Sequence, residues 1–167
     1  MYDELTEVDI KKMEEEIRHR VQVLRPQLIE EVQTARAFGD LSENFEYKCA
    51  KQAKNRNESR IRYLERMIRT AKIIEVQTTA DTVGLFDKVT IWNEMLKQEM
   101  TIQIVTTLRQ DALKGLISKE SPVGKALMGH AVGERVEIEV SPTLRYVAEI
   151  RAIEKGTDDE TLSISAY

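Results

Sequence analysis

Two long apolar stripes with helical spacing, joined by a short connection, constrain the fold of this 167-residue chain more than any other feature. In each stripe the side chains recur every three or four positions, as they do on one face of an α-helix. The first stripe, within residues 6–37, comprises Ile10, Met13, Ile17, Val21, Leu24, Leu28, Val32 and Ala35. The second, with one polar member, comprises Ala50, Ala53, Asn57, Ile61, Leu64, Ile68 and Ala71. Two long helices joined so closely must pack antiparallel, which predicts a coiled-coil hairpin whose far end is the connection.

The ends and the middle of the first helix carry their own signals. Thr6 and Asp9 have the spacing of an N-terminal capping box, and Gly39 is suited to a left-handed residue after the helix. Pro26 lies inside the helix, where it removes a backbone hydrogen bond to Gln22. We therefore expect a local distortion of the helix axis near Pro26.

The second half of the chain changes to a period of two, which is typical of β-strands. Four strands are predicted, over residues 88–94, 99–106, 134–140 and 145–153. Between them, residues 121–129 predict a short helix that starts at Ser121 and Pro122 and ends at Gly129. The sequence therefore predicts an α+β protein, with a coiled coil over residues 1–76, a linker over 77–84 and an antiparallel β domain with one short helix over 85–167.

Composition excludes several classes of protein. A single cysteine, Cys49, rules out an intrachain disulfide framework and a zinc cluster. The net charge of −4 argues against general nucleic-acid binding by the whole chain. The N-terminus lacks the pattern of a signal peptide, and no window approaches the run of about 18 apolar residues that a membrane helix needs. We expect a cytoplasmic protein without a membrane partner.

The connection between the helices contains two carboxylates, Asp40 and Glu43. Their spacing fits a capping box for the second helix, which would make them structural. Two carboxylates at the far end of a hairpin can also have a functional role instead of a structural one. The residues alone leave both interpretations open.

The second helix is locally basic, with nine Lys and Arg side chains against two Glu in residues 48–72. Five of the basic residues fall on one side of the helix, opposite the apolar seam: Lys48, Lys51, Arg62, Arg66 and Arg69. This basic stripe can guide RNA electrostatically. It can equally be a solvated face in which Glu58 pairs with Arg62 and Glu65 pairs with Arg69.

Two motifs in this chain resemble those of the bacterial Gre-type transcription elongation factors. The first lies at the hairpin connection and comprises Gly39, Asp40, Leu41, Glu43, Asn44, Glu46 and Tyr47. The second lies in the β domain and comprises Ile117, Ser118, Ser121, Pro122, Gly124, Lys125, Ala126, Leu127 and Gly129. The chain departs from the family pattern at Phe38 and Phe45, which flank the first motif, and at Phe86, where glycine is usual.

The resemblance implies a factor that is not itself an enzyme but helps bacterial RNA polymerase to cleave its own backtracked RNA. It implies that Asp40 and Glu43 at the tip assist a Mg²⁺ ion within the polymerase active site, with no cofactor bound stably by the chain alone. It implies that Asn44 and Tyr47 position either the tip or the backtracked RNA 3′ end. It further implies that the β domain is FKBP-like and docks on the polymerase through Ser121 and Pro122, and we expect a monomer.

Three alternatives remain at this stage. The first is a Gre-like paralogue that occupies the same polymerase channel but inhibits or modulates transcription. The second is a prolyl isomerase-like enzyme, for which Phe86, Trp92, Tyr146 and Tyr167 are too few and too scattered to predict an aromatic pocket. The third is a plain coiled-coil adaptor, which the complete tip motif disfavours.

Overall fold

The computed structural model describes residues 2–39, 43–77 and 79–166, and the chain forms two compact units. One unit consists of residues 10–71 and is helical. The other combines the residues up to Asp9 with those from Lys72 onward and contains the β-structure. The predicted α+β class is confirmed.

The helical unit is an antiparallel hairpin. Its elements are α1 (Glu7–His19), a π-helical turn (Arg20–Leu24), α2 (Arg25–Arg36) and α3 (Phe45–Thr70). The predicted capping box at the start of α1 is present: the Thr6 N–H donates to Asp9 Oδ2 at 3.1 Å, and the Asp9 N–H donates to Thr6 Oγ1 at 3.3 Å. α2 ends at Arg36, and Gly39 follows with a φ of +137°, which favours glycine.

The distortion expected at Pro26 is a π-helical turn placed immediately before it. The Arg25 N–H bonds to the Arg20 carbonyl oxygen, a spacing of five residues instead of four. Pro26 then falls in the first turn of α2, directly after the wider turn. The single helix predicted over residues 6–37 is therefore two α-helices joined by a wider turn.

The seam of the hairpin is apolar. Met13 and Leu64 are completely buried, and Ala35 and Ile61 are nearly so. Charged side chains cover much of the remaining surface, and within the described residues none of the helices has the length and hydropathy that crossing a membrane requires.

The β unit is built on a mixed five-stranded sheet in the order β5-β4-β3-β7-β6. Its strands are β3 (Lys88–Asn93), β4 (Gln98–Val105), β5 (Leu116–Ser118), β6 (Arg135–Ser141) and β7 (Leu144–Glu154). The four predicted strands are present and pair antiparallel. The expectation of a wholly antiparallel sheet was incomplete, because the three-residue β5 pairs parallel with β4. The connection between β4 and β5 contains two 3₁₀ turns, and after it the chain runs in the same direction as in β4.

Two further strands lie at either end of the helical hairpin in sequence. β1 (Glu4–Leu5) pairs parallel with β2 (Lys72–Ile73), and both belong to the β unit. Leu5 is completely buried there. The β unit therefore takes residues from both sides of the hairpin.

Phe86 occupies an unusual backbone position in the β unit. Its φ is +69°, a left-handed conformation that is unfavourable for residues other than glycine. The Phe86 side chain is completely buried, and the Arg109 guanidinium carbon lies 4.9 Å from its ring centroid. The left-handed conformation costs about 1–2 kcal/mol, which burial of the ring, worth about 1.5–3 kcal/mol, offsets.

Candidate functional site

Asn44 organises the described part of the hairpin tip. It is the N-cap of α3, where its Oδ1 accepts a hydrogen bond from the Tyr47 backbone N–H at 3.0 Å. Its Nδ2 donates to the Ala35 carbonyl oxygen in the last turn of α2 at 2.6 Å. One side chain thus satisfies a donor at the start of one helix and an acceptor near the end of the other.

This cap corrects the structural interpretation of the tip carboxylates. α3 begins at Phe45, so Asn44 holds the capping position that the sequence interpretation assigned to Asp40. Glu43 precedes the cap, whereas a capping-box glutamate follows it by three residues. Asp40 itself, with Leu41 and Ser42, lies outside the described residues. Glu43 is therefore not needed to start α3.

The acidic side chains of the tip face open solvent. Glu43 and Glu46 are exposed and border a hollow of about 500 Å³ together with Phe38, Asn44 and Phe45. Carboxylate oxygens are the ligands that Mg²⁺ prefers. In residues 2–39, 43–77 and 79–166, no group of three His, Cys, Asp or Glu side chains converges on a metal position. The exposed carboxylate oxygens of Glu43 and Glu46 fit the ligand chemistry of such an ion.

Tyr47 is held between two cations. The Arg36 guanidinium carbon lies 5.7 Å from its ring centroid, and Lys51 Nζ lies 6.0 Å away. A hydrogen bond from Arg36 and the charges of Lys51 and Arg36 lower the pKa of the Tyr47 hydroxyl, although its partial burial opposes them. Tyr47 therefore links the end of α2 to the first turns of α3.

All five residues of the basic stripe are exposed on α3, as the helical spacing predicts. The internal pairs expected for a merely solvated face do not form. Arg62 donates to Ser59 Oγ at 3.2 Å, and within the described part of the chain no ion pair joins Glu65 to Arg69. Among the described residues, Arg62 and Arg69 are therefore not held in the two ion pairs that the sequence suggested.

Glu58, the expected partner of Arg62, instead reaches across the hairpin. Its two carboxylate oxygens accept hydrogen bonds from Arg25 Nε at 2.7 Å and Arg25 Nη2 at 2.9 Å. This bond from Arg25 lowers the pKa of Glu58 despite partial burial. A two-pronged pair of this kind fixes the orientation of both side chains.

A second polar cluster across the hairpin was not predicted. Glu16 accepts hydrogen bonds from Arg60 Nε at 2.9 Å and from Arg20 Nε at 2.8 Å, and Arg20 Nη1 donates to Asn57 Oδ1 at 3.0 Å. Burial alone raises the pKa of Glu16, but the bonds from Arg60 and Arg20 outweigh burial and lower it. The only sequence signal was Asn57, the polar residue within the second apolar stripe.

The short helix of the β unit, α4 (Pro122–Leu127), forms as predicted. Ser121 Oγ accepts from the Gly124 N–H at 3.0 Å and donates to the Ser118 carbonyl oxygen at 2.6 Å. A Cβ atom at Gly124 would lie 2.2 Å from that carbonyl oxygen, so only glycine fits this turn. Ser121 thus shapes the turn, while Pro122 is the exposed member of the predicted docking pair.

The aromatic residues of the β unit that the structure describes do not gather into a pocket. Phe86 is in the core, whereas Trp92 is half-buried on the other side of the sheet, where the Arg151 guanidinium carbon lies 4.5 Å from its ring. Burial raises the pKa of the Tyr146 hydroxyl, and Tyr167 lies outside the described residues. This arrangement offers no support for an isomerase pocket.

Two protein-family models together match most of the chain. The model described as "Transcription elongation factor, N-terminal" matches residues 4–73, and "Transcription elongation factor, GreA/GreB, C-term" matches residues 77–155. Transcription elongation factor GreA of Mesoplasma florum is 43% identical over 135 residues, which cover 80% of this chain and 86% of that protein. GreA of a Methylobacterium species is 44% identical over 127 residues, covering 75% and 80%. Among solved structures, that of the transcription factor Gfh1 aligns with a TM-score of 0.45 and 25% identity over 92% of this chain and 97% of that chain.

Proposed function

Because this chain belongs to the GreA/GreB family of transcription elongation factors, we propose that its hairpin tip enters RNA polymerase and stimulates cleavage of backtracked RNA. The observation that carries the proposal is the exposed Glu43 carboxylate, placed beside a helix start that Asn44 and not Glu43 caps. A carboxylate without a role in starting the helix, in the loop of a long hairpin, is suited to act on another molecule.

In this mechanism, the chain supplies positioned carboxylates and the polymerase supplies the catalytic centre. Glu43 and Asp40 present oxygen ligands, and Asn44 and Tyr47 hold the tip through Ala35 and Arg36. Glu43, together with Asp40, would hold a Mg²⁺ ion shared with the polymerase, and that ion would supply Lewis-acid stabilisation of the charge that develops during cleavage. The cleavage rate increases because the carboxylates are held in position before the reaction begins.

The other predicted sites complete the proposal. The basic stripe attracts the phosphates of the extruded RNA 3′ end, and the exposed face of Pro122 docks the β unit on the polymerase. We propose that the factor acts as a monomer in the cytoplasm, where its bacterial polymerase works.

The test compares Asp40→Ala and Glu43→Ala with the parent in complexes of the cognate polymerase stalled on backtracked RNA. We expect the rate of RNA cleavage to fall at least about tenfold in each variant, because the lost ligand acts on the transition state. Glu65→Ala is the matched control, since Glu65 is an exposed glutamate on α3, far along the chain from the tip. Parental cleavage in both tip variants would overturn the metal-assisting role. Binding that slows transcription without any cleavage by the parent would indicate an inhibitory paralogue instead.

A second test concerns docking. Glutamate is well tolerated at the first position of a helix, so Pro122→Glu should preserve α4 while adding a charge to the proposed contact surface. We expect a lower affinity for polymerase. Pro142→Glu is the control, because Pro142 is an exposed proline in the turn between β6 and β7. An equal affinity for both variants would contradict docking through Pro122.

A further inference from the structure

Two phenylalanine side chains stand open to solvent at the hairpin tip. Phe38 is 72% exposed and Phe45 is 76% exposed, and both border the hollow that Glu43 and Asn44 line. Phenylalanine has no polar atom that benefits from hydration, so two such rings in one place mark a contact surface. Neither ring is required by the hairpin seam, which is filled by other side chains.

We propose that Phe38 and Phe45 form a stacking site for a nucleobase of unpaired RNA. This inference rests on the proposed function, which brings the extruded RNA end to the tip. The carboxylates of Glu43 and Glu46 repel RNA phosphates, so an uncharged attraction for RNA is favourable beside them. Stacking on an aromatic ring supplies it for any base, because every base has a π face.

The surroundings of Phe45 match the parts of a nucleotide. Lys48 follows Phe45 by three residues on α3, so the two exposed side chains share one face of the helix. A base stacked on the Phe45 ring can therefore place its phosphate toward the Lys48 ammonium group. The exocyclic amino groups of bases can donate to carboxylates such as Glu43.

An apolar pocket on a protein partner is the rival occupant. Such a pocket would have to bury the carboxylates of Glu43 and Glu46 along with the rings that they border, and burying charge without a partner is unfavourable. A nucleobase covers the faces of the rings and leaves the carboxylates at its polar edge. The mixed aromatic and acidic lining of the hollow thus favours a nucleobase over an apolar pocket of a protein.

The test uses the full chain with polymerase and two backtracked RNAs, one normal and one whose extruded 3′-terminal nucleotides lack their bases. The double variant Phe38→Leu/Phe45→Leu removes the π faces but keeps apolar side chains at positions outside the core. With normal RNA we expect it to lower the cleavage rate at subsaturating factor by roughly five- to a hundredfold, the range of stacking on one base. With abasic RNA we expect parent and variant to be equally slow. Phe38→Tyr/Phe45→Tyr, which keeps the rings, should behave like the parent.

Equal losses on normal and abasic RNA would overturn the proposal and assign the rings to a contact with the polymerase. No loss on either RNA would overturn it as well. If the parent stimulates no cleavage at all, the proposed function fails. The stacking site is then tested separately, by measuring how strongly the full chain alone quenches the fluorescence of a short RNA that contains 2-aminopurine. We expect the parent to quench the fluorescence more than the leucine double variant, and equal quenching would reject stacking.

Discussion

The Arg109 guanidinium lies 2.6 Å from the Asp9 carboxylate, with Nε donating to Oδ1, and neither side chain is accessible to solvent. Arg109 Nη1 also donates to the Asp159 carbonyl oxygen at 3.2 Å. One buried arginine in the β unit therefore joins the start of the chain to its C-terminal segment.

Replacing Arg109 by methionine should lower the free energy of unfolding by about 3–5 kcal/mol, because it leaves the buried Asp9 carboxylate without its opposite charge. Chemical denaturation measures the change. Arg145→Met is the control: Arg145 pairs with Glu139, but both side chains are more than half exposed, and such pairs contribute below about 1 kcal/mol. Similar decreases in the free energy of unfolding in the two variants would show that burial does not increase the contribution of the Arg109–Asp9 pair to stability.

Replacing Asn44 by alanine should destabilise the hairpin by about 0.5–2 kcal/mol through loss of the N-cap, and should also slow RNA cleavage because the tip loses its bond to Ala35. Asn44→Ser separates the two effects, since serine caps helices well but has no amide to reach the Ala35 carbonyl oxygen. We expect serine to restore most of the stability and little of the cleavage. Full recovery of cleavage by serine would show that only the cap matters.

Replacing Glu16 by glutamine should make hairpin stability less dependent on acidic pH. The folded-state pKa of Glu16 is lowered below its ordinary value of 4.5, so ionised Glu16 stabilises the fold above that pH, and the contribution is lost as pH falls through the lower folded pKa. We expect Glu16→Gln to cost about 1–3 kcal/mol at pH 7, with a smaller difference from the parent near pH 3. Denaturation at both pH values checks this. Glu14→Gln, at an exposed position of α1, is the control, and its free energy of unfolding should differ from that of the parent by the same amount at both pH values. If Glu16→Gln is destabilised equally at both pH values, the explanation is wrong.

Neutralising the tip end of the basic stripe should weaken the action of the factor on extruded RNA. With Lys48→Gln/Lys51→Gln we expect a several-fold loss of cleavage that grows with the length of the extruded RNA. The slope of the logarithm of RNA affinity against the logarithm of salt concentration should become shallower by roughly 0.7 for each lost phosphate contact. Arg66→Gln/Arg69→Gln is a matched double variant farther along α3 from the tip. A small loss that is independent of RNA length and salt would mean that the stripe only keeps the hairpin soluble.

Several features followed from the sequence because their signals lie within a few residues of one another. The apolar stripes predicted the hairpin, the spacing of Thr6 and Asp9 predicted a capping box, and the period-two segments predicted four strands nearly to the residue. Pro26 predicted a local distortion, although its form as a π-helical turn depends on how the backbone re-pairs. The candidate site residues came from resemblance of motifs, which identifies positions but not contacts.

The tertiary structure decided what depends on residues distant in sequence. Nothing near Asp9 indicates that Arg109 is its partner, and nothing in two-residue strands shows that Glu4 pairs with Lys72. Asn44 caps α3 and bonds to Ala35 only because the hairpin brings two helix ends together. The sequence by itself determined which segments are helices and strands, because periodicity and capping act over three or four residues. Which polar groups are buried, and with what partner, was decided only by packing, because desolvation depends on every segment that the fold brings near.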